Sequence, residues 1–375
     1  MSRSLRHRPA VFRALRSSRG HARPPRRSRQ RPTLRCLPPE RLEDRTVPST
    51  ITLPVNTLAD DPIHSIPGYT TLRDAINQAN SHPANNYVIS LAVKGTIDLT
   101  SPLPDLDNNI VLNGLGASNS TVQRVLTASP FRIFTIDTDK TVKISGLTIA
   151  QGDVFGNGGG ILNSGTLTVR DSTFTGNTVD GNGGGIDNAG TLTVRDSTFT
   201  SNFAARPGGN GGGIYNESGG TATVNDSTFT DNGARFNGGG IFNATGGTLT
   251  VRDSTFTSSY ATFGGGLFNG GTATVSGSTF TGNSADVGGG IGNTGTLTVR
   301  DSTFTSNSAD TDGGGIYNTG TLKVRDSTFT SNSAGTDGGG IFNDLGGMLM
   351  QNDNIFIDNH PNDVSPHETE YELVG

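Results

Sequence analysis

Six aspartates, Asp171, Asp196, Asp226, Asp253, Asp301 and Asp326, occupy one position of a repeat, and a column of carboxylates is the first feature of this chain that could do chemistry. Stacked one strand apart, about 4.8 Å, neighbours would approach the roughly 5–5.5 Å between the two carboxyls of a retaining glycosidase. Arg170, Arg195, Arg252, Arg300 and Arg325 run beside them. A catalytic pair should break a repeat, whereas this pairing is the repeat. The expected arrangement is a solvated ladder of salt bridges, with catalysis or calcium binding as alternatives. All six histidines, His7, His21, His64, His82, His360 and His367, fall outside the regular repeat, so imidazole does not serve its wall as base, zinc ligand or triad member. No catalytic residue, metal ligand or cofactor is assigned.

The elements that must position such columns are set by a glycine triplet. Triplets begin at Gly158, Gly183, Gly211, Gly238, Gly264, Gly288, Gly313 and Gly338, at spacings of 25, 28, 27, 26, 24, 25 and 25 residues. A period in this range marks a solenoid or similar array. Between triplets lies Gly-Thr-Leu-Thr-Val-Arg-Asp-Ser-Thr-Phe-Thr, first at 165–175, in which Leu167, Val169 and Phe174 alternate with polar residues. Alternation predicts strands with one buried face, and no 3.6-residue apolar stripe competes between 141 and 359. A propeller blade needs about 40 residues, whereas about 25 fit one coil of a parallel β-helix. Three strands per coil are expected, at Gly-Ile-x-Asn, Thr-Leu-Thr-Val and Ser-Thr-Phe-Thr. One coil buries too little to fold alone, so the array is stable only when stacked.

Asn163, Asn188, Asn216, Asn243, Asn269, Asn293, Asn318 and Asn343 share a second position, and Asn177, Asn202, Asn232, Asn283, Asn307, Asn332 and Asn359 a third. Both are read as corner residues whose side chains bond along the stack. No Lys-Ser/Thr follows a triplet, so the glycines form no phosphate loop. Between Ile and Asn a variable residue faces outward: Leu162, Asp187, Tyr215, Phe242, Phe268, Gly292, Tyr317 and Phe342. Its aromatics, Tyr215, Phe242, Phe268, Tyr317 and Phe342, are the candidate ligand-binding column, able to stack on sugar rings or on one another. Thr-x-Thr pairs such as Thr173-x-Thr175 and Thr198-x-Thr200 form a further ladder, similar to the flat face of ice-binding β-solenoids.

The paired blocks, with the second standing as Phe174-Thr-Gly-Asn177, Phe199-Thr-Ser-Asn202 and Phe304-Thr-Ser-Asn307, resemble the Gly-Gly-x-Ile and Phe-x-x-Asn repeats of the polymorphic outer membrane protein family. The resemblance covers 141–359 and departs at Ser259, which replaces Asn, and at Leu267, which replaces Ile. It implies an all-β, right-handed parallel β-helix of the pectate-lyase-like type, at the cell surface or secreted. Pectinases of that fold carry an acidic cluster with an Arg or Lys base, or a His-bearing motif. No such cluster is readable here, and Lys is missing from 144 through 322. The insertion at Ala205-Arg206-Pro207, the added Glu217 and the Ser276-Gly277 replacement are read as insertion scars, with functional sites as the alternative.

Upstream, Thr71 followed by Asp74 predicts a capped helix near 71–80 that lids the first coil and its strand edge. Thr70-Thr-Leu-Arg-Asp-Ala75 is similar to the domain named for Cys-Ser-Leu-Arg-Glu-Ala, which precedes β-helices in secreted bacterial proteins. The first 45 residues hold 14 Lys and Arg against Glu40, Glu43 and Asp44, inside a net charge of −5 for the whole chain. Their end, Pro39-Glu-Arg-Leu-Glu-Asp-Arg45, looks like an Arg-rich leader of extracytoplasmic proteins. Without interleaved aromatics it is not read as a nucleic-acid arm. Cys36 is the single cysteine and no run of 18 apolar residues exists. The expected organisation is a disordered leader at 1–48, a cap and irregular coils at 49–140, regular coils at 141–359 and a polar tail at 360–375. The expected function is a non-enzymatic, extracytoplasmic surface or adhesion protein that binds polysaccharide or cell-surface glycan. Polysaccharide lyase or glycoside hydrolase is the alternative, and ice binding a remote one.

Overall fold

The computed structural model describes residues 49–60 and 68–366. The leader at 1–48 and the end of the tail at 367–375 lie outside the described residues. From Thr50 onward the chain winds as a parallel β-helix in which identical residues stack in register: Ile161 on Ile186, Leu167 on Leu192, Phe174 on Phe199. Each regular coil contributes Ile161–Asn163, Thr166–Arg170, Thr173–Thr175 and Thr178–Val179, or their equivalents, to four sheets of 10, 12, 11 and 8 strands. The fourth strand escapes the sequence pattern. It is two residues long in most coils and reads Thr-Val, Phe-Ala, Gly-Ala or Ser-Ala, with no alternation to betray it. Pairing also runs past Asn359, because Val364–Pro366 adds a last strand beside Ile341–Asn343.

The helix, Leu72–Asn80, carries the expected capping box: Thr71 Oγ1 accepts from the Asp74 amide while the Asp74 carboxylate accepts from that of Thr71. Leu72, Ala75, Ile76 and Ala79 are buried in the same core as the first strands. Arg73, the second residue of the helix, is buried against Asp60 through two bonds of 2.8 Å.

Alternation works as the pattern requires, and Ile161, Leu167, Val169 and Phe174 are all fully buried. The rings from Phe174 to Phe356 form one stack with centroids 4.6–5.0 Å apart and planes within 14° of parallel. The Asn163 column bonds Nδ2 to Oδ1 from coil to coil at 2.6–2.8 Å. The Asn177 column does so at 2.9 Å, but breaks at Ser259. A third ladder, of buried serines from Ser172 to Ser327, was not anticipated. Each serine hydroxyl donates two residues back and, from Ser197 on, accepts the amide of the serine one coil earlier, while Ser172 accepts that of Leu147.

Ser259 keeps the backbone pose of the ladder, its amide donating to Asn283 Oδ1 at 3.0 Å, while its hydroxyl reaches only Thr257 O at 3.5 Å. Ser259→Asn should therefore close the gap and stabilise the protein by about 1 kcal/mol. A higher denaturation midpoint checks this, and a lower one refutes it.

The aspartate column is not the salt-bridge ladder expected. Asp171, Asp196, Asp226, Asp253, Asp301 and Asp326 all stand at φ of 48–51°, in the left-handed corner before the buried serine. Asp tolerates that conformation better than most residues, and Gly277 takes the place in the coil that lacks Asp. Among the described residues the column holds one ion pair, Arg300–Asp301 at 3.3 Å, and no cluster of His, Cys, Asp and Glu suited to a metal.

Candidate functional site

The outer face of the Ile-x-Asn sheet brings together the variable column and the corners on either side of it. Register places Leu162, Asp187, Tyr215, Phe242, Phe268, Gly292, Tyr317 and Phe342 in one line. The five candidate aromatics do align, in two blocks. Tyr215, Phe242 and Phe268 stack at 5.1 and 5.5 Å, and Tyr317 and Phe342 at 5.5 Å. Gly292 separates the blocks, and the Phe268 ring leans over it so closely that an added Cβ would meet its Cδ2 at 2.9 Å. Planes within 10° of parallel mean that the rings turn their faces to one another along the axis and their edges outward. Phe342, expected at the surface, is only 8% exposed, while the other four are half-buried. The strip offers a partner ring edges and the apolar ridge they form.

One wall of the strip is an asparagine ladder. Asn157 Oδ1 accepts from the Asn182 amide at 3.0 Å, Asn182 Oδ1 from Asn210 at 3.0 Å, and Asn210 Oδ1 from Asn237 Nδ2 at 2.7 Å. The wall continues in aromatics, with Phe263 edge-on to both Phe236 and Phe268. At the far end Tyr317 donates its hydroxyl to Asp344 at 2.8 Å.

At the near end several unlike chemical groups converge. Asp187 takes the column position between Leu162 and Tyr215 and is fully buried, with neither carboxylate oxygen accepting a hydrogen bond of normal geometry. Burial foremost, then the Glu217 charge, pushes its pKa up to about 8, with the Asn157 amide and Arg132 pulling part of the way back. Tyr215 is raised as well, by burial and then by Asp187 and Glu217. Arg132 reaches in from two coils earlier, donating to Asn157 O at 2.9 Å and leaving Nε buried without a partner. Glu217 stands half-buried in the corner after Asn216.

Arg132, Asp187, Tyr215 and Glu217 thus form the cluster that the repeat pattern did not disclose, and Glu217 is part of it, not merely an insertion scar. Its signal was present in the sequence, because Asp187 is the sole charged residue of the column. Chemically the cluster holds a carboxyl that titrates near neutrality, a second carboxyl beside it, a phenol and a guanidinium, which are the group types used for proton transfer or for holding sugar hydroxyls.

Two solved structures are similar to this chain at low identity. An alginate lyase from Paenibacillus sp. str. FPU-7 is 10% identical, with 84% of this chain and 99% of that chain covered and a TM-score of 0.43. The Agl-KA catalytic domain is 14% identical, with 85% and 68% covered and a TM-score of 0.36. No curated protein matches the chain. The model of the right handed beta helix region family matches residues 108–256 and 186–360, and the chain belongs to that family.

Proposed function

We propose that this protein is an extracytoplasmic, surface or adhesion-type β-helix that binds a polysaccharide along the outer face of its Ile-x-Asn sheet. The observation that carries the reading is the half-buried aromatic strip lying beside a hydrogen-bonding asparagine wall. Apolar ridges flanked by fixed polar groups suit sugars, whose rings present C–H faces and equatorial hydroxyls. A solenoid repeats such contacts at every coil, about 4.8 Å apart. The extracytoplasmic location rests on the resemblance of the repeats and of the Arg-rich leader.

A second reading, cleavage of the bound polymer, is favoured by one observation: the Asp187 carboxyl holds its proton near neutral pH beside Glu217. In that reading Glu217, the more accessible of the two, exchanges the proton with the glycosidic oxygen or a sugar carbon, and Asp187 positions it.

A glycan array probed with the full chain tests the first reading. Tyr215→Ala and Phe242→Ala together should weaken capture by about tenfold or more, equivalent to about 1.4 kcal/mol. Undiminished capture would remove the strip from the binding surface. Reducing-end release or new ultraviolet absorbance from the bound polymer, lost in Glu217→Gln, would establish cleavage. A polymer that stays intact would leave binding alone.

A further inference from the structure

Charge along the strip is uneven. At the near end the opposite charges of Arg132 and Glu217 flank Asp187, which holds its proton near neutral pH and adds a negative charge once it ionises. Beyond Arg132, Asp137 is raised by burial and then by the negative charges of Asp105 and Asp107, the latter paired with Lys140 at 2.8 Å. At the far end, Asp312 is raised by burial and in part by its like-charged neighbours Asp337 and Asp344, and no ion pair among the described residues offsets these three. Between the two ends the floor is uncharged, formed by Phe242, Phe268 and Gly292. The Glu217 and Asp344 corners are five coils apart, about 24 Å at the strand spacing.

The acidic groups alone would be an ordinary solvated edge. Asp187 makes the difference, because a fully buried carboxyl that has the Asn157 amide and Glu217 beside it but no hydrogen bond of normal geometry on either oxygen is costly to ionise unless something compensates it. It stands at an outward-facing column position, between Arg132 on one side and Tyr215 and Glu217 on the other. A cation arriving at the half-buried Glu217 would supply that compensation. A polyanion would meet uncompensated like charge at the far end.

Building on the glycan-binding reading, we propose that the strip is selective for a linear polysaccharide bearing free amino groups, whose ammonium groups are held by Glu217 backed by Asp187 at one end and by Asp344 with Asp312 at the other. The separation of the ends requires a polymer of several sugar units, with its uncharged ring faces over Phe242 and Phe268. An ammonium at Glu217 also favours the ionised form of Asp187, so binding releases a proton near neutral pH.

The test compares two hexasaccharides on one backbone, β-1,4-linked glucosamine and its fully N-acetylated counterpart, with an oligogalacturonate of equal length as the anionic probe. The free-amine hexamer should bind the full chain at least tenfold more tightly than the acetylated one. It should lose about that factor at high salt, and release protons, read as a binding enthalpy that changes with the buffer. Glu217→Gln with Asp344→Asn should bring the two hexamers to equal affinity, and Asp187→Asn should abolish proton release. Equal affinity of the hexamers for the wild type overturns this inference and leaves the glycan reading standing, as does preference for the galacturonate or capture of some other glycan without the amine hexamer. Failure to bind any glycan overturns both.

Discussion

Asp187→Asn should make the protein more stable than the wild type at pH 8 and remove a pH dependence that the wild type shows. In the folded chain the Asp187 carboxyl is held up at about 8, by burial and by Glu217, against an ordinary value of 3.8. The groups facing it are Arg132, Glu217 and Tyr215, with the Asn157 amide alongside. A raised acid binds its proton in the folded state while the unfolded chain has already lost it. Its favourable contribution is therefore complete below about pH 4 and is lost as pH rises through about 8. The slope within that window is at most about 1.4 kcal/mol per pH unit, so across about four units the effect is of order 5 kcal/mol at its upper bound. Asparagine keeps the shape and discards the charge. Chemical denaturation of both proteins from pH 5 to 9 measures it: the gap between their midpoints should widen with pH, and a constant gap would show that Asp187 ionises as freely folded as unfolded.

Gly239→Ala should disrupt the central coils at least as severely as removal of a core ring. Phe256→Ala takes one ring from a stack in which its neighbours lie 4.8 and 4.6 Å away, a loss of about 3–5 kcal/mol. At Gly239 an added Cβ would sit 2.5 Å from both Gly265 O and Tyr260 O. Both contacts are backbone, one from the next coil, so no rotamer change relieves them. Relief requires parting coils joined by bonds such as Gly239 N to Gly264 O. Gly219 is the control, at φ of 84° with nothing within 4 Å of an added Cβ, where alanine should cost only about 1–2 kcal/mol of backbone strain. Melting followed by circular dichroism, with limited proteolysis around residues 233–266, separates the three variants. Gly239→Ala melting with Gly219→Ala would refute close approach as the reason for the triplet's middle glycine.

Much of the fold was legible because the repeat states each requirement many times over. Ile161, Leu167, Val169 and Phe174 announce the inward positions, and Asn163 and Asn177 the two corners, with six or more copies confirming each. The helix was legible because Thr71 and Asp74 act locally. The two-residue strands were not, since Thr178–Val179 and its equivalents owe their pairing to the neighbouring coil and carry no pattern of their own. The aspartate column was visible but misread as charge pairing, because φ is not written in residue type.

The candidate site divides the same way. That Tyr215, Phe242, Phe268, Tyr317 and Phe342 share a column followed from the period alone. That their faces meet one another, that Gly292 splits them and that Phe342 is covered depends on side-chain angles and on corners of unequal length.

By itself, then, the sequence determined the parallel stacking of coils, the inward and outward faces and the ladders, because a strand's two-residue period and a 25-residue repeat leave little choice of register. Only the tertiary structure decided that Arg132, Asp187 and Glu217 meet. They come from different coils, and whether such residues touch depends on how far each side chain reaches along the axis and how much water the neighbouring corners exclude. Burial of that kind is set by three-dimensional packing, and it turns one odd aspartate in a column into a carboxyl that titrates near neutrality.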